Sequence, residues 1–293
     1  LRWSGVPACA LTSQGCSGKA SPMDLPLIEK AVDLLLRSKH TVVLTGAGIS
    51  TESGVPDFRS PGGIWERYDP TLFFYARFVA EPDVVWKCLI EMNTNGALSL
   101  WDAKPNQGHM ALAELEEMGL VKVVITQNID NLHQKAGSRN VIEFHGNMLF
   151  FRCLTCGRTY GYEQLLEIIA ESTCLPPRCE CGGILKPDAV FFGEAIPQNA
   201  LNESFRHAQD CDLMLVIGTS AQIEPAASLP IVAKGMRSMF RGMGGFFTKI
   251  NSHVVEIIRE PTPLTGEVSD FLIQGGAGDI LSTIVRNVRE KRR

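Results

Sequence analysis

Four cysteines set in two close pairs are the plainest chemical signal in the chain. Cys153-Leu-Thr-Cys156 and Cys179-Glu-Cys181-Gly-Gly are separated by 22 residues, roughly the spacing of two knuckles that close a tetrahedral thiolate site, the second pair one residue tighter than usual. Ordinary buried cysteines have no reason to come in close pairs at turns. Four thiolates fill every coordination position of a Zn2+ ion, so one such ion would hold structure and do no chemistry. Cys88, Cys174 and Cys211 read as core or spare thiols. A different chemistry is open to Gln127-Asn128-Ile129-Asp130 and to Glu143-Phe-His145. Asn128 and Asp130 at a strand end can hydrogen-bond a ligand amide, and a histidine with an ordinary pKa of about 6.5 is suited to general-base work at neutral pH. His40, His109, His133, His207 and His253 take the commoner role of structural residues. Gly46-Ala47-Gly48-Ile-Ser50 offers glycines that let a pyrophosphate approach the backbone. Thr51 stands where a dehydrogenase fingerprint has its third glycine, and no acidic residue closes a second strand about 20 residues on. Alone, this motif fits a plain turn between strand and helix equally well.

The elements that would carry these residues alternate between two periodicities. Leu27, Ile28, Ala31, Leu34, Leu35 and Leu36 recur at helical spacing, and Thr41-Val-Val-Leu-Thr45 then forms a β-branched run ending in the first glycine turn. The signature returns as Lys122-Val-Val-Ile-Thr126 before Gln127, and as Leu213-Met-Leu-Val-Ile217 before Gly218-Thr219-Ser220. Val254 to Ile258 is a fourth strand, and Gly108 to Glu117 a helical stretch. Near-continuous apolar strands between helices predict an α/β fold with a parallel sheet covered on both faces. In such sheets ligands sit beyond the carboxyl ends of the strands, so these turns should converge on one pocket.

Composition bounds the partners. The 293 residues are 45% hydrophobic, enough for a full core, with a net charge of -4 spread along the chain. No basic stripe indicates a nucleic-acid partner. No apolar run approaches bilayer-spanning length, so no membrane partner is expected. Paired cysteines suit a metal site in a reducing compartment, and a cytoplasmic location is expected. Residues 1–22, free of Asp and Glu, are left out of the fold as a disordered or non-native extension. Residues 60–104, rich in aromatics, read as a helical module, and residues 146–186 as a zinc module. Residues 24–59, 105–145 and 187–290 compose the sheet domain. Residues 235–253, with four glycines, three methionines and three phenylalanines, read as an atypical insertion.

Taken in order, Gly46-Ala47-Gly48-Ile-Ser50, Pro56-Asp57-Phe58-Arg59, Thr126-Gln127-Asn128-Ile129-Asp130, His145-Gly146, the two cysteine pairs, Val190-Phe191-Phe-Gly193-Glu194 and Gly218-Thr219-Ser220 closely resemble the sirtuin family of NAD-dependent protein deacylases. The resemblance, nearest to bacterial and archaeal deacetylase-like members, covers about residues 27–285. It implies a Rossmann-like doubly wound sheet domain with a smaller zinc-binding and helical module, and one structural Zn2+ held by Cys153, Cys156, Cys179 and Cys181. NAD and an acyl-lysine protein or peptide would enter the cleft between the domains from opposite sides. The resemblance implies attack of the acyl oxygen on the nicotinamide ribose, release of nicotinamide and formation of an alkylimidate. His145 would then act as base on the ribose hydroxyls, and deacylated lysine and O-acyl-ADP-ribose would leave.

By the same resemblance Asn128 and Asp130 hold the nicotinamide amide, Gln127 contacts the ribose, and Phe58 shields the reacting carbon. Gly46, Ala47, Gly48, Ser50, Asp57, Arg59, Ile129, Gly218, Thr219, Ser220, Glu260 and Ala277 complete the NAD side. Val190, Phe191, Gly193 and Glu194 meet the substrate backbone as an added strand.

Some relatives that remove acidic acyl groups carry a tyrosine and an arginine in the helical module. Here no arginine occurs between Arg77 and Arg139, and Leu89 and Met92 lie in that stretch, so neutral acyl groups such as acetyl are expected. One departure concerns the end of the fourth strand. Ile258-Arg259-Glu260 stands where sirtuins usually place an adenosine-binding asparagine, which predicts a raised NAD requirement. Transfer of ADP-ribose to protein, and a catalytically impaired NAD-sensing scaffold, are the competing readings.

Overall fold

The computed structural model describes residues 25–57, 63–95, 100–172, 174–235 and 252–293. Expectations placed on residues 1–22, on Phe58 and Arg59, and on most of the 235–253 segment lie outside the described residues. Helix α1 (Leu25–Arg37) leads into strand β1 (Thr41–Thr45). Helices α2 (Ile64–Arg67), α3 (Tyr75–Ala80), α4 (Pro82–Thr94) and α5 (Gln107–Glu117) precede β2 (Val121–Thr126), α6 (Leu132–Lys135) and β3 (Val141–Glu143). Next come β4 (Gly146–Cys153), β5 (Thr159–Gly161), α7 (Tyr162–Glu171) and β6 (Leu185–Ala189). The chain ends with α8 (Gln198–Asp210), β7 (Leu213–Ile217), α9 (Leu229–Ala233), β8 (His253–Ile258), β9 (Phe271–Gln274) and α10 (Ala277–Lys291).

Six strands form one parallel sheet in the order β3-β2-β1-β7-β8-β9. Counted within that sheet the order is 3-2-1-4-5-6, that of a doubly wound dinucleotide-binding fold, and the winding reverses between β1 and β7. The strands are apolar on both faces because both are covered. Val43, Val124, Leu215 and Ile257 pack under α1, α5 and α10, whereas Val42, Leu44, Ile125, Met214 and Val216 pack under α8 and α9. Ile28, Ala31, Val32 and Leu35 form the buried stripe of α1, with Leu27, Leu34 and Leu36 at its margin.

The second domain is a three-stranded antiparallel sheet, β5-β4-β6, with α7 and the helices α2 to α4 against it. The aromatic-rich and cysteine-rich segments share one hydrophobic core there. Trp86 on α4 donates its indole N–H to the Leu185 carbonyl at 2.8 Å, and its ring lies 5.9 Å from that of Phe151 on β4. Strand β6 runs through residue 187 to Ala189, so the chain returns to the large sheet only after the Val190–Glu194 segment.

Candidate active site

Each central strand passes its last ladder bond to a turn at the point of reversal. Gln127 N–H donates to Thr45 O (2.9 Å), Gly46 N–H to Ile217 O (3.0 Å) and Gly218 N–H to Ile257 O (3.0 Å). The turns after β1 and β7 interlock, Gly48 N–H donating to Gly218 O at 2.8 Å. A Cβ on Gly48 would sit 2.8 Å from Gly218 Cα, and one on Gly218, whose φ is +60°, 2.4 Å from Ile49 N. Only glycine allows this approach.

A cavity of about 870 Å³ opens over the turns, a size suited to a ligand of cofactor dimensions. Gly46, Ala47, Gly48, Asp57, Gln127, Asn128, Ile129, His145, Val190, Phe191, Gly193, Glu194, Gly218, Thr219, Ser220, Glu260 and Ala277 all line it. Ser50 and Asp130 do not: they are 0% and 3% exposed and lie behind Asn128.

That second layer is a closed hydrogen-bond network. Asn128 Nδ2 donates to Gly46 O (3.2 Å) and Ser50 Oγ (3.0 Å), which leaves its amide oxygen as the polar atom for the cavity. Ser50 Oγ donates to Asp130 Oδ2 at 2.7 Å, and Asp130 Oδ1 accepts from Leu132 N–H at 2.9 Å. His109 belongs here too. Its Nδ1 accepts from Asn106 N–H (3.3 Å), closing the capping box of α5, so the proton rests on Nε2, 3.4 Å from Ser50 Oγ. The His133 ring lies 4.9 Å from that of His109, with Nε2 2.9 Å from Thr45 Oγ1 and a buried Nδ1 that has no partner among the described residues. Burial pulls His109 from its ordinary 6.5 down to about 4, the Asp130 charge opposing, and His133 down to about 3. Both stay neutral. Sequence reasoning left them among the structural histidines; the Asn106-to-His109 capping spacing is legible, but not its neighbour Ser50.

His145 stands two residues past the end of β3 and immediately before β4. Its Nδ1 lies 3.2 Å from the Gln127 carbonyl, which can only accept, so Nδ1 carries the proton and Nε2 keeps a free lone pair. Burial lowers its pKa below 6.5, partly offset by that hydrogen bond. Gln127 Nε2 donates in turn to Thr219 Oγ1 at 2.9 Å, tying this turn to the one after β7. Gly146 has φ +72°, and a Cβ there would meet Asp188 O at 2.0 Å, so the chain needs glycine to leave His145 for β4. Val190 N–H donates to His145 O at 2.8 Å, and Phe192 is held by Phe73 O and Tyr75 N–H, both at 2.9 Å.

At the opposite end, beyond β8, Ile258 is half-buried while Arg259 and Glu260 are exposed, and all three line the cavity. Glu256, fully buried on β8, accepts from Thr262 Oγ1, from Thr265 Oγ1 at 2.7 Å and from Ser269 Oγ at 2.6 Å. Its carboxylate thus fixes the loop that carries cavity residues Pro261, Thr262 and Pro263. No motif announced this clamp. Ala277 opens α10, whose Gly278 N–H donates to Glu52 Oε1 at 3.3 Å.

The four paired cysteines meet at the far end of β4. Their sulfurs all lie within 4.8 Å of one another, Cys153 to Cys181 at 3.5 Å and Cys156 to Cys179 at 3.6 Å. A tetrahedron with Zn–S bonds of about 2.3 Å has edges of about 3.8 Å, so the donor set fits that ion. From His145 to Cys153 is the length of β4, roughly 20–25 Å at the usual rise per residue, too far for the metal to touch a reaction at His145. Cys211 is buried, Cys88 half-buried and Cys174 exposed.

Fold and site together define an α/β protein built to hold a ligand across the switch point of its sheet, with a thiolate-stapled second domain. A sequence model of the Sir2 family matches residues 46–225, and the chain belongs to the Sir2 family. It is 43% identical over 263 residues to the NAD-dependent protein deacylase 2 of Pyrobaculum aerophilum, covering 89% of this chain and 96% of that protein. It is 49% identical over 210 residues to an NAD-dependent protein deacetylase of Thermodesulfovibrio yellowstonii, covering 70% and 79%. Among solved structures, a Sir2-p53 peptide-NAD+ complex superposes with a TM-score of 0.74 at 34% identity, covering 90% of this chain and 98% of that one.

Proposed function

We propose that this chain is an NAD-dependent protein-lysine deacylase acting on neutral acyl groups, acetyl first among them. One observation carries the reading. His145 is fixed by the Gln127 carbonyl in the tautomer that leaves Nε2 as a base, in the same cavity that the turns after β1 and β7 line. Its relatives are named as NAD-dependent deacylases and deacetylases, and a neighbour of the same fold binds NAD+ and a peptide.

Gly46 to Gly48 would hold the NAD pyrophosphate across the switch point, and Thr219 and Ser220 a ribose, since all of them line the one cavity. The nicotinamide amide meets Asn128, whose oxygen is presented by the Ser50, Asp130 and His109 network. Asp130 therefore acts through Ser50 and Asn128, since its own carboxylate is committed. When nicotinamide has left, His145 Nε2 accepts a proton from a ribose hydroxyl and so raises its nucleophilicity. The substrate strand runs along Val190 to Glu194. The N–H groups of Val190, Phe191, Phe192 and Glu194 are engaged within the chain, which leaves the Val190 carbonyl and the Gly193 N–H for pairing with a peptide.

The acyl group faces Ile64, Trp65, Phe73, Met92 and Met148. Among the described residues the only cation lining the cavity is Arg259, beyond β8, so a buried acyl carboxylate would lack a partner. A zinc ion on Cys153, Cys156, Cys179 and Cys181 holds the second domain together.

The reading is tested by incubating the protein with an acetyl-lysine peptide, with and without NAD, beside His145→Ala. Peptide mass and free nicotinamide should change together in the parent protein. Nicotinamide release with an unchanged or ADP-ribosylated peptide would replace deacylation by hydrolysis or transfer. A succinyl peptide processed faster than its acetyl counterpart would overturn the neutral-acyl assignment. No helix among the described residues is long and apolar enough to cross a membrane.

A further inference from the structure

Lys186 lies on β6 and is 4% exposed, and nothing in the proposed chemistry uses it. A buried ammonium has three N–H donors to satisfy. All three are spoken for: Pro187 O at 2.7 Å, Ala189 O at 2.7 Å and Glu194 Oε2 at 3.0 Å, with the Phe191 ring face 4.5 Å away. The carboxylate that answers it is itself engaged. Glu194 Oε2 accepts from Phe191 N–H at 2.9 Å, and Glu194 N–H closes the turn on Phe191 O at 3.0 Å. The ammonium therefore bridges the chain before the turn, through residues 187 and 189, to the chain after it, through Glu194. Between those anchors stand Val190 to Gly193, whose first N–H reaches His145 O. An ion pair with one charge buried and the other partly so is a poor source of stability compared with apolar packing of the same volume, because desolvation offsets the attraction. What it supplies here is geometry: a fork of three directed bonds that admits one shape for the turn.

Resting on the deacylase reading, we propose that Lys186 is a positioning residue for the acyl-lysine edge, and that the Glu194 side chain serves it by latching the turn from inside without touching the substrate. Lys186 then governs peptide binding and leaves NAD binding to the other side of the cavity.

The test compares Lys186→Met, Glu194→Gln and the double variant with the parent protein. Peptide KM is measured at saturating NAD and NAD KM at saturating acetyl peptide, with peptide affinity read separately by calorimetry. Lys186→Met should raise peptide KM and Kd about tenfold, which corresponds to about 1.4 kcal/mol, while NAD KM stays within about twofold. Glu194→Gln keeps an acceptor oxygen for Phe191 N–H and should give a smaller rise. The double variant should be no worse than Lys186→Met alone, since the two act as one unit. Unchanged peptide KM and Kd in Lys186→Met would overturn the proposal, as would an equal rise in the NAD and peptide constants, the mark of a general loosening. If Lys186→Met fails to fold, an unchanged peptide Kd in Glu194→Gln overturns it instead. Calorimetry reads the latch even if the parent protein binds the peptide without deacylating it, so the two readings fail separately.

Discussion

The two ends of the cavity are built on different terms. At the end proposed for nicotinamide, every group behind Asn128 except His133 Nδ1 has a partner among the described residues, from Gly46 through Ser50 to Asp130 and His109, and the layer is buried. At the opposite end, proposed for adenosine, the strand finishes on Ile258 with exposed Arg259 and Glu260, and the order comes from one carboxylate, Glu256, clamping a loop from below. A reacting end must place groups within fractions of an ångström, because a misaligned base or amide forfeits rate. A binding end only adds affinity, which substrate concentration can replace. The contrast teaches where substitution should be harsh and where mild.

The largest effect should come from removing the metal, because the second domain that carries the acyl edge shares one core with the cysteine knuckles. Chelation, or Cys179→Ser, should abolish deacylation and lower the melting temperature. Zinc content by atomic spectroscopy and a thermal scan would check this. Full activity in metal-free protein would show that the reacting end does not depend on that domain.

Next comes His145→Ala. Deacetylated peptide should form about 10²–10⁴-fold more slowly, the usual weight of a positioned base, while exchange of labelled nicotinamide into NAD persists, since that step precedes the base. Loss of both in a folded variant would move His145 from proton transfer to binding.

The buried histidines give the reacting end a pH signature of moderate size. His133 and His109 are held neutral, with folded values of about 3 and 4 against an ordinary 6.5. For a base with a depressed folded pKa the unfolded chain binds the extra proton, so stability is full above about 6.5 and falls as pH drops toward the folded values. A loss on the order of a few kcal/mol is expected by pH 4, read as a falling melting temperature. His133→Gln should flatten that slope. An unchanged slope in this variant would place the acid sensitivity elsewhere. His145, also lowered by burial, should keep deacylation active somewhat below pH 6.5.

How far the sequence reads depends on how local the cause is. Thr41–Thr45, Leu213–Ile217 and the helical stripe of α1 announce themselves because burial imposes a period on neighbours in sequence. Val141–Glu143 and Phe271–Gln274 are too short to show a period, yet they complete the sheet, since they are strands only by pairing with β2 and β8. The Cys pairs and the glycine turns are legible for the same local reason. His109 and His133 are not, because their meaning lies in partners up to 88 residues away, such as Thr45 for His133. Lys186 and Glu256 find their partners within 8 and 13 residues, yet no period or motif marks them, because only the folded turn shows which side chains meet. The aromatic and cysteine segments looked like two modules because nothing in either names the other; Trp86 on Leu185 joins them.

The mildest change tests the adenosine end from the opposite direction, by addition. Ile258 lies at the close of β8 and lines the cavity, with Gly275 N–H donating to its carbonyl at 3.2 Å, so its backbone is already held in ladder geometry. Ile258→Asn would place an amide where the resemblance expects one to meet the adenosine ribose, at the cost of part of a half-buried apolar contact. A hydrogen bond to an uncharged group is worth about 1 kcal/mol net, so NAD KM should fall about fivefold, with kcat and peptide KM unchanged. If NAD KM does not fall, the Glu256-held loop carrying Thr262 already supplies what the resemblance expects of an asparagine. Glu256→Gln, which weakens that clamp, should then raise NAD KM on its own. If instead kcat shifts with NAD KM in Ile258→Asn, the two ends of the cavity are coupled through the sheet and the division between them does not hold.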